Sequence, residues 1–298
     1  MSAAGPTTAE DLPGRPPFGA RLARAMDELG PLCVGIDPHK GLLEAWGLSD
    51  DAAGLREFSL RVVDALGGRV AAVKPQSAFY ERHGSAGVAV LEETLAALRE
   101  AGTLSVLDVK RGDIGSTMGG YADAYLSEGS TLAADALTVS PYLGFGSLEP
   151  VLSLARDTAR GVFVLGLTSN PEGRSVQHAT DASGRSVAGG VVDGVRAANA
   201  AARAAGTLGS VGLVVGATVG RAVRDLGLDL QASAAPLLAP GVGAQGAGAP
   251  ELEQVFGAAR GQVLASTSRG VLAAGPGADA LRRAAASAVA EAAAALRG

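Results

Sequence analysis

The stretch that decides the fold of this chain is Leu107-Asp108-Val109-Lys110-Arg111-Gly112-Asp113-Ile114. It ends an apolar run that begins at Leu104, and it places charged residues where that run must turn. Residues two apart in a β-strand project to the same face, so we expect Asp108 and Lys110 to leave the backbone together. The stretch therefore predicts a buried strand that ends in charged side chains.

The pattern of an apolar run followed by a helix-forming segment occurs eight times. Continuous apolar runs are typical of parallel strands, which are buried on both faces. We predict strands at 32–37, 70–73, 104–110, 136–140, 162–168, 211–217, 235–239 and 263–266. We predict helices at 18–29, 55–66, 86–101, 116–127, 148–159, 187–205, 222–228, 250–259 and 278–296. Eight units predict an α/β (β/α)8 TIM barrel with an N-terminal helical extension, and an open doubly wound sheet is the alternative.

The composition is that of a globular protein, with 47% hydrophobic residues, 18% charged residues and a net charge of −5. No basic block indicates nucleic acid or anionic lipid as a partner, and no apolar run approaches the ~20 residues of a membrane span. Segment 1–17 lacks a signal-peptide core, so we expect a flexible N-terminal tail before a single barrel domain at 18–298. The lone Cys33 predicts a buried thiol, and we expect a cytoplasmic protein.

Polar residues follow the predicted strands at the point where each strand ends. In a barrel these ends form one rim, where active sites lie. Only three of the 25 Lys and Arg residues are lysines, and two of them, Lys74 and Lys110, stand at strand ends near carboxylates. This convergence predicts a site that needs compact ammonium groups. The polar residues at the rim are Asp37, Lys74, Asp108, Lys110, Ser140, Thr168, Ser169, Thr218, Gln245, Ser268 and Arg269.

The pair of Asp108 and Lys110 is also compatible with an ordinary structural ion pair. Lys74 favours a functional site, because adjacent parallel strands lie about 5 Å apart and desolvating several charges together is costly. Flanking carboxylates favour the ammonium form of Lys110, which suits an acid or a stabilising cation better than a Schiff-base amine. An ammonium among the prospective ligands also disfavours a divalent metal, so we expect no metal site.

The loops after the last two predicted strands suggest a phosphate site. The glycine-rich segment 241–248 is either a flexible linker or a cradle of backbone N–H groups for an anion. Barrels place phosphate sites in the loops after strands seven and eight, and an arginine there suits bidentate binding. We therefore predict a phosphate site formed by segment 241–248, which contains Gly243 and Gln245, together with Ser268 and Arg269. Asp113 has a simpler interpretation as the N-cap of the following helix.

Taken together, these motifs resemble the orotidine 5′-phosphate decarboxylase family, and the chain length and the Pro141-Tyr142 pair resemble its larger bacterial subgroup. The resemblance implies a barrel homodimer that converts orotidine 5′-monophosphate to UMP and CO2 with neither a metal nor an organic cofactor. The motifs that carry it are Asp108-x-Lys110-Arg111-x-Asp113-Ile114, Lys74 before them, and Pro240-Gly241-Val242-Gly243-Ala244-Gln245-Gly246 with Arg269 after them.

The resemblance also implies a role for individual residues. Lys74, Asp108, Lys110 and Asp113 would be catalytic, with Lys110 stabilising and protonating a carbanion at C6. Asp113, Ile114 and Thr117 would reach the partner subunit's site. Substrate ligands would be Asp37 for the ribose, Ser169 for the pyrimidine, and Gln245 and Arg269 for the phosphate, while Lys40 receives no role. Two alternatives stay open: another phosphosugar barrel, either a metal-dependent or a Schiff-base aldolase, and a catalytically silent barrel that binds nucleotides.

Overall fold

The computed structural model describes residues 14–243 and 246–297. Eight parallel strands close into a barrel in chain order, with β1 paired to β8, which confirms the predicted (β/α)8 fold. Most of the predicted N-terminal tail, residues 1–13, lies outside the described residues. The strands are β1 (Leu32–Ile36), β2 (Ala72–Pro75), β3 (Leu104–Arg111), β4 (Ala136–Val139), β5 (Gly161–Leu167), β6 (Val211–Val215), β7 (Leu237–Pro240) and β8 (Val263–Thr267).

Helices follow the strands around the outside of the barrel, and each predicted helix has a counterpart. The predicted helix 187–205 is divided at Asn199, because the buried amide of that residue pairs with the backbone of Val211 instead of facing solvent. The helices are α1 (Phe18–Leu29), α2 (Lys40–Ala45), α3 (Ala52–Leu66), α4 (Ala78–Glu81), α5 (Gly84–Glu100), α6 (Gly115–Leu126), α7 (Glu149–Asp157), α8 (Arg174–Gln177), α9 (Val187–Ala198), α10 (Ala200–Ala204), α11 (Ala222–Asp225), α12 (Ala249–Phe256), α13 (Arg269–Leu272) and α14 (Ala278–Arg297).

The barrel interior and the space beneath it form a core separate from the layer between strands and helices. Inward side chains of the strands, Cys33 and Phe163 among them, pack there against Phe18, Leu22 and Met26 of α1. The ring of Phe18 meets that of Phe163 edge to face at 5.9 Å between centroids. Helix α1 therefore closes the N-terminal end of the barrel, which leaves the opposite end as the open mouth.

The pairing of β3 with β4 is regular only at its start. Leu107 pairs with Leu137, but the next pairing joins Arg111 to Val139, so β3 carries extra residues before the pairing resumes. Such bulges often redirect a side chain next to an active site. The extra residues include Asp108 and Lys110, so the irregularity falls on the stretch that the sequence singled out. No helix within residues 14–243 and 246–297 has the length and apolar character needed to cross a membrane.

Candidate active site

Three charged residues meet at the mouth end of β2 and β3. The Lys74 ammonium donates to one carboxylate oxygen of Asp108 at 3.0 Å, and the Lys110 ammonium donates to the other at 2.6 Å. Lys74 and Asp108 are buried, whereas the Lys110 side chain is 46% exposed. The structure thus brings the predicted lysines and aspartate together, with one ammonium locked beneath the carboxylate and the other facing the mouth.

The charges in this array support one another's ionised state. Burial on its own would raise the pKa of Asp108, but the ammonium groups of Lys74 and Lys110 outweigh it and hold that pKa below its usual value. Burial likewise works against the Lys74 ammonium, and the carboxylates of Asp108 and Asp37 outweigh it, so the pKa of Lys74 lies above its usual value. The array is therefore ionised at neutral pH, with Asp108 negative and Lys74 positive.

The alternation of side chains along a regular strand, from which we predicted the meeting of Asp108 and Lys110, does not explain their contact. A regular strand would place them on one face by alternation, but Lys110 has a left-handed backbone with φ +47°. It is one of three non-glycine residues with positive φ among those the structure describes. This conformation costs about 1 kcal/mol and occurs often at functional sites. The Lys110 side chain reaches the carboxylate through the bulge, not through the pleat.

Two residues of the array were missed by the sequence analysis. The buried hydroxyl of Thr138 on β4 donates to Asp108 at 2.8 Å. The side-chain amide of Gln76 accepts from Lys74 and donates to the carbonyl of Asp108, each at 3.4 Å. A threonine within an apolar strand is also what β-propensity alone would place there, so the sequence offered little signal for its role.

Asp37 follows β1 on the other side of Lys74. Its Oδ1 atom is buried and makes no hydrogen bond to any described residue. The hydroxyl of Ser268 lies close by, because a Cβ placed on Gly35 would come within 2.1 Å of that hydroxyl and 3.3 Å of Asp37 Oδ1. A buried carboxylate oxygen without a donor is costly, so this position is suited to a hydroxyl group supplied by a ligand.

Asp113 and Ile114 lie in the turn from β3 into α6, and Thr117 lies in the first turn of α6. None of these three side chains takes part in the hydrogen bonds that join Lys74, Asp108, Lys110 and Thr138. Asp113 accepts from the backbone N–H of Ile114 at 2.8 Å, and no described residue forms an ion pair with it. Ile114 is 61% exposed, and the nearby loop after β4 exposes Tyr142 to 77%. The helix-cap alternative for Asp113 receives no support, because its carboxylate accepts no N–H from the first turn of α6.

Ser169 lies on the rim after β5. It lines an open crevice of about 420 Å³ between the loops that follow β5 and β6, together with Thr168, Thr218 and Arg221. The segment after Ser169 contains the short helix α8, where no helix was predicted. Ser169 is exposed and free to meet a ligand at the mouth.

The predicted phosphate loops follow β7 and β8, which are neighbours in the barrel. Gly243 has φ +112°, and its N–H donates to Ala247 within the loop, as the N–H of Gly246 does to Gly243. The N–H of Gly248 donates to the Glu251 carboxylate at 2.9 Å, so several N–H groups of the expected cradle are already used. Arg269 is exposed at the start of α13, and Gln245 lies outside the described residues.

No group of three or more His, Cys, Asp or Glu side chains suited to holding a metal ion occurs in the part of the chain that the structure describes. The array instead offers an ammonium at the mouth and an unpaired carboxylate oxygen beside it. This set can bind hydroxyl groups and stabilise a negative charge that develops on a ligand.

The sequence is similar to a known family of enzymes and to individual members of it. Residues 30–284 match the model of the orotidine 5′-phosphate decarboxylase / HUMPS family. An orotidine 5′-phosphate decarboxylase of Salinispora tropica is 60% identical over 281 residues, covering 94% of this chain and 99% of the relative. That of Streptomyces coelicolor is 58% identical over 270 residues, covering 90% and 94%.

Solved structures similar to this one come from the same family. A crystal structure of a Streptomyces avermitilis protein, described as an orotidine 5′-phosphate decarboxylase, superposes with a TM-score of 0.90 at 57% identity, covering 96% of this chain and 98% of that one. The orotidine monophosphate decarboxylase of Leishmania donovani superposes with a TM-score of 0.72 at 30% identity, covering 95% and 99%. The chain belongs to the orotidine 5′-phosphate decarboxylase / HUMPS family and, within it, to the orotidine 5′-phosphate decarboxylases.

Proposed function

We propose that this enzyme converts orotidine 5′-monophosphate to UMP and CO2 and that Lys110 stabilises and protonates the carbanion left at C6. The observation that carries the proposal is the position of Lys110, whose ammonium is held 2.6 Å from Asp108 while its side chain stays 46% exposed at the mouth. Family membership gives the reaction, and the array gives a chemical reason for it.

The difficulty of this reaction lies in the carbanion, since loss of CO2 leaves an electron pair in the ring plane at C6. A fixed ammonium next to that atom stabilises the charge as it forms, and the same group then supplies the proton. The neighbouring carboxylate of Asp108 keeps the Lys110 cation in place at 2.6 Å. A cation held in place before the reaction needs no reorganisation when the charge appears.

Lys74 and Asp108 set the electrostatics around this step. Lys74 compensates Asp108 from below at 3.0 Å, so that the carboxylate stays ionised although it is buried. Asp108 would then lie near the carboxylate of the substrate and favour its departure. This repulsion acts on the substrate carboxylate, whereas the Lys110 ammonium acts on C6, so the two proposed effects are distinct.

The remaining predicted residues bind parts of the substrate in this proposal. The unpaired oxygen of Asp37 accepts from a ribose hydroxyl, and Ser169 contacts the pyrimidine. Gly243, Gln245, Ser268 and Arg269 take the phosphate, with the exposed Arg269 supplying the charge. Phosphate binding remote from C6 then provides energy to order the site.

We also propose that the enzyme is a homodimer with shared sites and that it acts in the cytoplasm. The Asp113 carboxylate accepts from the neighbouring Ile114 N–H and forms no ion pair with a described residue, and the exposed side chains of Ile114, Tyr142 and Leu143 lie in the loops after the neighbouring strands β3 and β4. Exposed apolar residues of this size favour a protein partner, and a second copy supplies the missing carboxylate to each site. The unpaired thiol of Cys33 supports a reducing compartment.

The reaction is tested by following the ultraviolet absorbance of orotidine 5′-monophosphate with purified, chelator-treated protein. We expect the orotate chromophore to disappear and Lys110→Ala to abolish its loss. Activity that chelation removes would favour a metal-dependent aldolase. Borohydride trapping of a carbonyl substrate on Lys74 or Lys110 would favour a Schiff-base aldolase. Binding of UMP without any turnover of orotidine 5′-monophosphate would favour the silent barrel.

The shared site is tested by mixing two inactive variants, Lys110→Ala and Asp113→Ala. Random exchange of subunits makes half of the dimers mixed, and each mixed dimer has one complete site, so we expect about one quarter of wild-type activity. Each variant mixed with itself serves as the control. A mixture that stays inactive although subunits exchange contradicts the assignment of Asp113 to the partner's site.

A further inference from the structure

Thr138 uses every hydrogen-bonding position of its hydroxyl within the array. The Oγ1 atom accepts from the backbone N–H of Val109 at 3.1 Å and from that of Lys110 at 3.0 Å, and it lies 2.8 Å from Asp108 Oδ1. A hydroxyl has one proton and two lone pairs. Because both N–H groups only donate, the single proton of the hydroxyl must point to the Asp108 carboxylate.

These two N–H groups are the ones that the bulge in β3 leaves without a regular partner. The pairing with β4 skips from Leu107 to Arg111, and Val109 and Lys110 lie in between. Val109 is buried, so its N–H needs a partner inside the protein. Thr138, a residue only 1% exposed, supplies that partner for both N–H groups through its hydroxyl. It therefore stabilises the left-handed backbone at Lys110, which has φ +47°.

The same hydroxyl fixes the rotation of the carboxylate. Asp108 Oδ1 accepts from Thr138 and from the Lys110 ammonium, while Oδ2 accepts from Lys74. With Thr138 and Lys74 on opposite oxygens, the carboxylate plane has one orientation, and Lys110 has one place to which it can bind. A single atom on β4 thus sets both the backbone that carries the Lys110 side chain and the anion that receives its ammonium.

We propose that Thr138 is a positioning residue of the decarboxylation: its hydroxyl holds the bulge at Val109 and Lys110 and orients Asp108, so that the Lys110 ammonium faces the substrate. The inference rests on the proposed role of Lys110. Thr138 acts through Asp108 and Lys110 and has no contact of its own with the reacting atoms. Its removal should affect the chemical step more than the binding of substrate, because the groups proposed to hold ribose and phosphate lie on other strands.

The test compares Thr138→Val with Thr138→Ser. Valine keeps the shape of threonine but removes the hydroxyl, and serine keeps the hydroxyl but removes the methyl group. We expect Thr138→Val to lower kcat by about 10- to 100-fold with a smaller change in KM, since misplacing a catalytic group by 1 Å costs about 100-fold. We expect Thr138→Ser to retain most of the wild-type kcat.

A matched control is Thr94→Val. Thr94 is also fully buried, and its hydroxyl donates to the carbonyl of Val90 at 2.7 Å, but it lies in α5, outside the strands, and forms no hydrogen bond with Asp108 or either lysine of the array. Thr94→Val should lower the melting temperature and leave kcat per folded enzyme unchanged. If Thr138→Val does not fold, Thr138→Cys replaces it, because a thiol is of similar size and a much weaker donor and acceptor.

Three results would overturn the proposal. The first is a wild-type kcat in Thr138→Val, or in Thr138→Cys where that variant replaces it. The second is an equal loss of kcat in Thr138→Ser, which would assign the effect to packing. The third is a loss confined to KM. The proposed function fails separately, if the wild-type protein does not consume orotidine 5′-monophosphate or if Lys110→Ala remains active.

Discussion

Each end of the barrel holds a carboxylate among cations, and the two ends differ in hydrogen bonding and in the type of cation. At the closed end, Asp135 accepts from Arg21 with one oxygen and from the backbone N–H and hydroxyl of Ser105 with the other. At the mouth, Asp108 meets two lysines, one of which is 46% exposed. Asp135 and Asp108 both have donors for both of their oxygens, but the mouth also holds Asp37, whose Oδ1 has no donor among the described residues.

The type of cation follows the same division. At the closed end Arg21 also donates to the carbonyl of Ala159, and Arg160 to that of Ala134, so planar guanidinium groups join carboxylates to the backbone. Arginine suits such multiple fixed contacts and does not release a proton at any ordinary pH. The lysines at the mouth make fewer contacts and can donate a proton. The difference lies in the acceptors. At the closed end both oxygens of Asp135 are paired and the unpaired group is a donor, Nε of Arg160, whereas the mouth leaves an acceptor, Oδ1 of Asp37, without a donor among the described residues.

Exchanging the type of cation should separate the two ends most sharply. Lys110→Arg keeps the positive charge but replaces the proposed proton donor, and we expect kcat to fall by about 1000-fold or more. Arg21→Lys should lose about 1 kcal/mol of unfolding free energy with no change in kcat, since only hydrogen bonds at the closed end are lost. Steady-state kinetics and urea unfolding of both variants measure the two effects. A Lys110→Arg enzyme with near-normal turnover would break the comparison.

Neutralising one acid at each end is the next largest test. Asp135→Asn should lower the unfolding free energy by about 2 kcal/mol, because Arg21 loses its charged partner, and should leave kcat and KM unchanged. Asp37→Asn should raise KM by about 10-fold or more, because the proposed acceptor for the ribose loses its charge, and the unfolding free energy should change by no more than ~0.5 kcal/mol. If Asp37→Asn is the less stable of the two variants, Asp37 serves to stabilise the fold, and its unpaired oxygen is not kept available for a ligand.

How much of this contrast could be predicted from the sequence depends on the range of the interactions involved. Polar residues at the ends of apolar runs are a local signal, and they predicted the mouth, with Lys74, Asp108 and Lys110 in one array. The left-handed backbone at Lys110 had no local signal, because neither glycine nor asparagine marks the position. It is stabilised by Thr138, 28 residues later in the chain, through a contact that only the closed barrel creates.

The closed end was harder to predict for the same reason. The helix at 18–29 was predicted, but its packing under the barrel depends on Phe18 meeting Phe163 and on Arg21 meeting Asp135, which lie far apart in sequence. The role of Asp113 in a partner's site is a prediction from the family resemblance.

Acid should weaken the closed end in a defined pH range. Burial opposes ionisation of Asp135, yet Arg21 and the Ser105 N–H outweigh it, and the pKa of Asp135 lies below its usual value. A carboxyl with a lowered folded-state pKa adds stability above its unfolded pKa of about 3.9, and this contribution is lost as the pH falls through the folded value. We therefore expect the stability gap between wild type and Asp135→Asn to stay constant from about pH 5 to 7 and to narrow below about pH 4. Urea unfolding at each pH measures the gap, and a gap that widens in acid would contradict the assignment.

The smallest effect concerns Cys33, which lies inside the barrel between the two ends. It is fully buried on β1, and burial raises the pKa of its thiol to about 12, against the opposing charge of Lys74. Since the thiolate is the reactive form, we expect a soluble alkylating reagent at pH 8 to label it only in denaturant. Cys33→Ala should keep full activity and lose about 1 kcal/mol of unfolding free energy.

The rate of Cys33 alkylation at pH 8 can also be compared between the wild type, Asp135→Asn and Asp37→Asn. If the closed end is a structural seal, only Asp135→Asn should accelerate labelling, because only that substitution loosens α1. Equal acceleration by Asp37→Asn would mean that the thiol is reached from the mouth, and the two ends would then not differ in the way that their hydrogen bonds indicate.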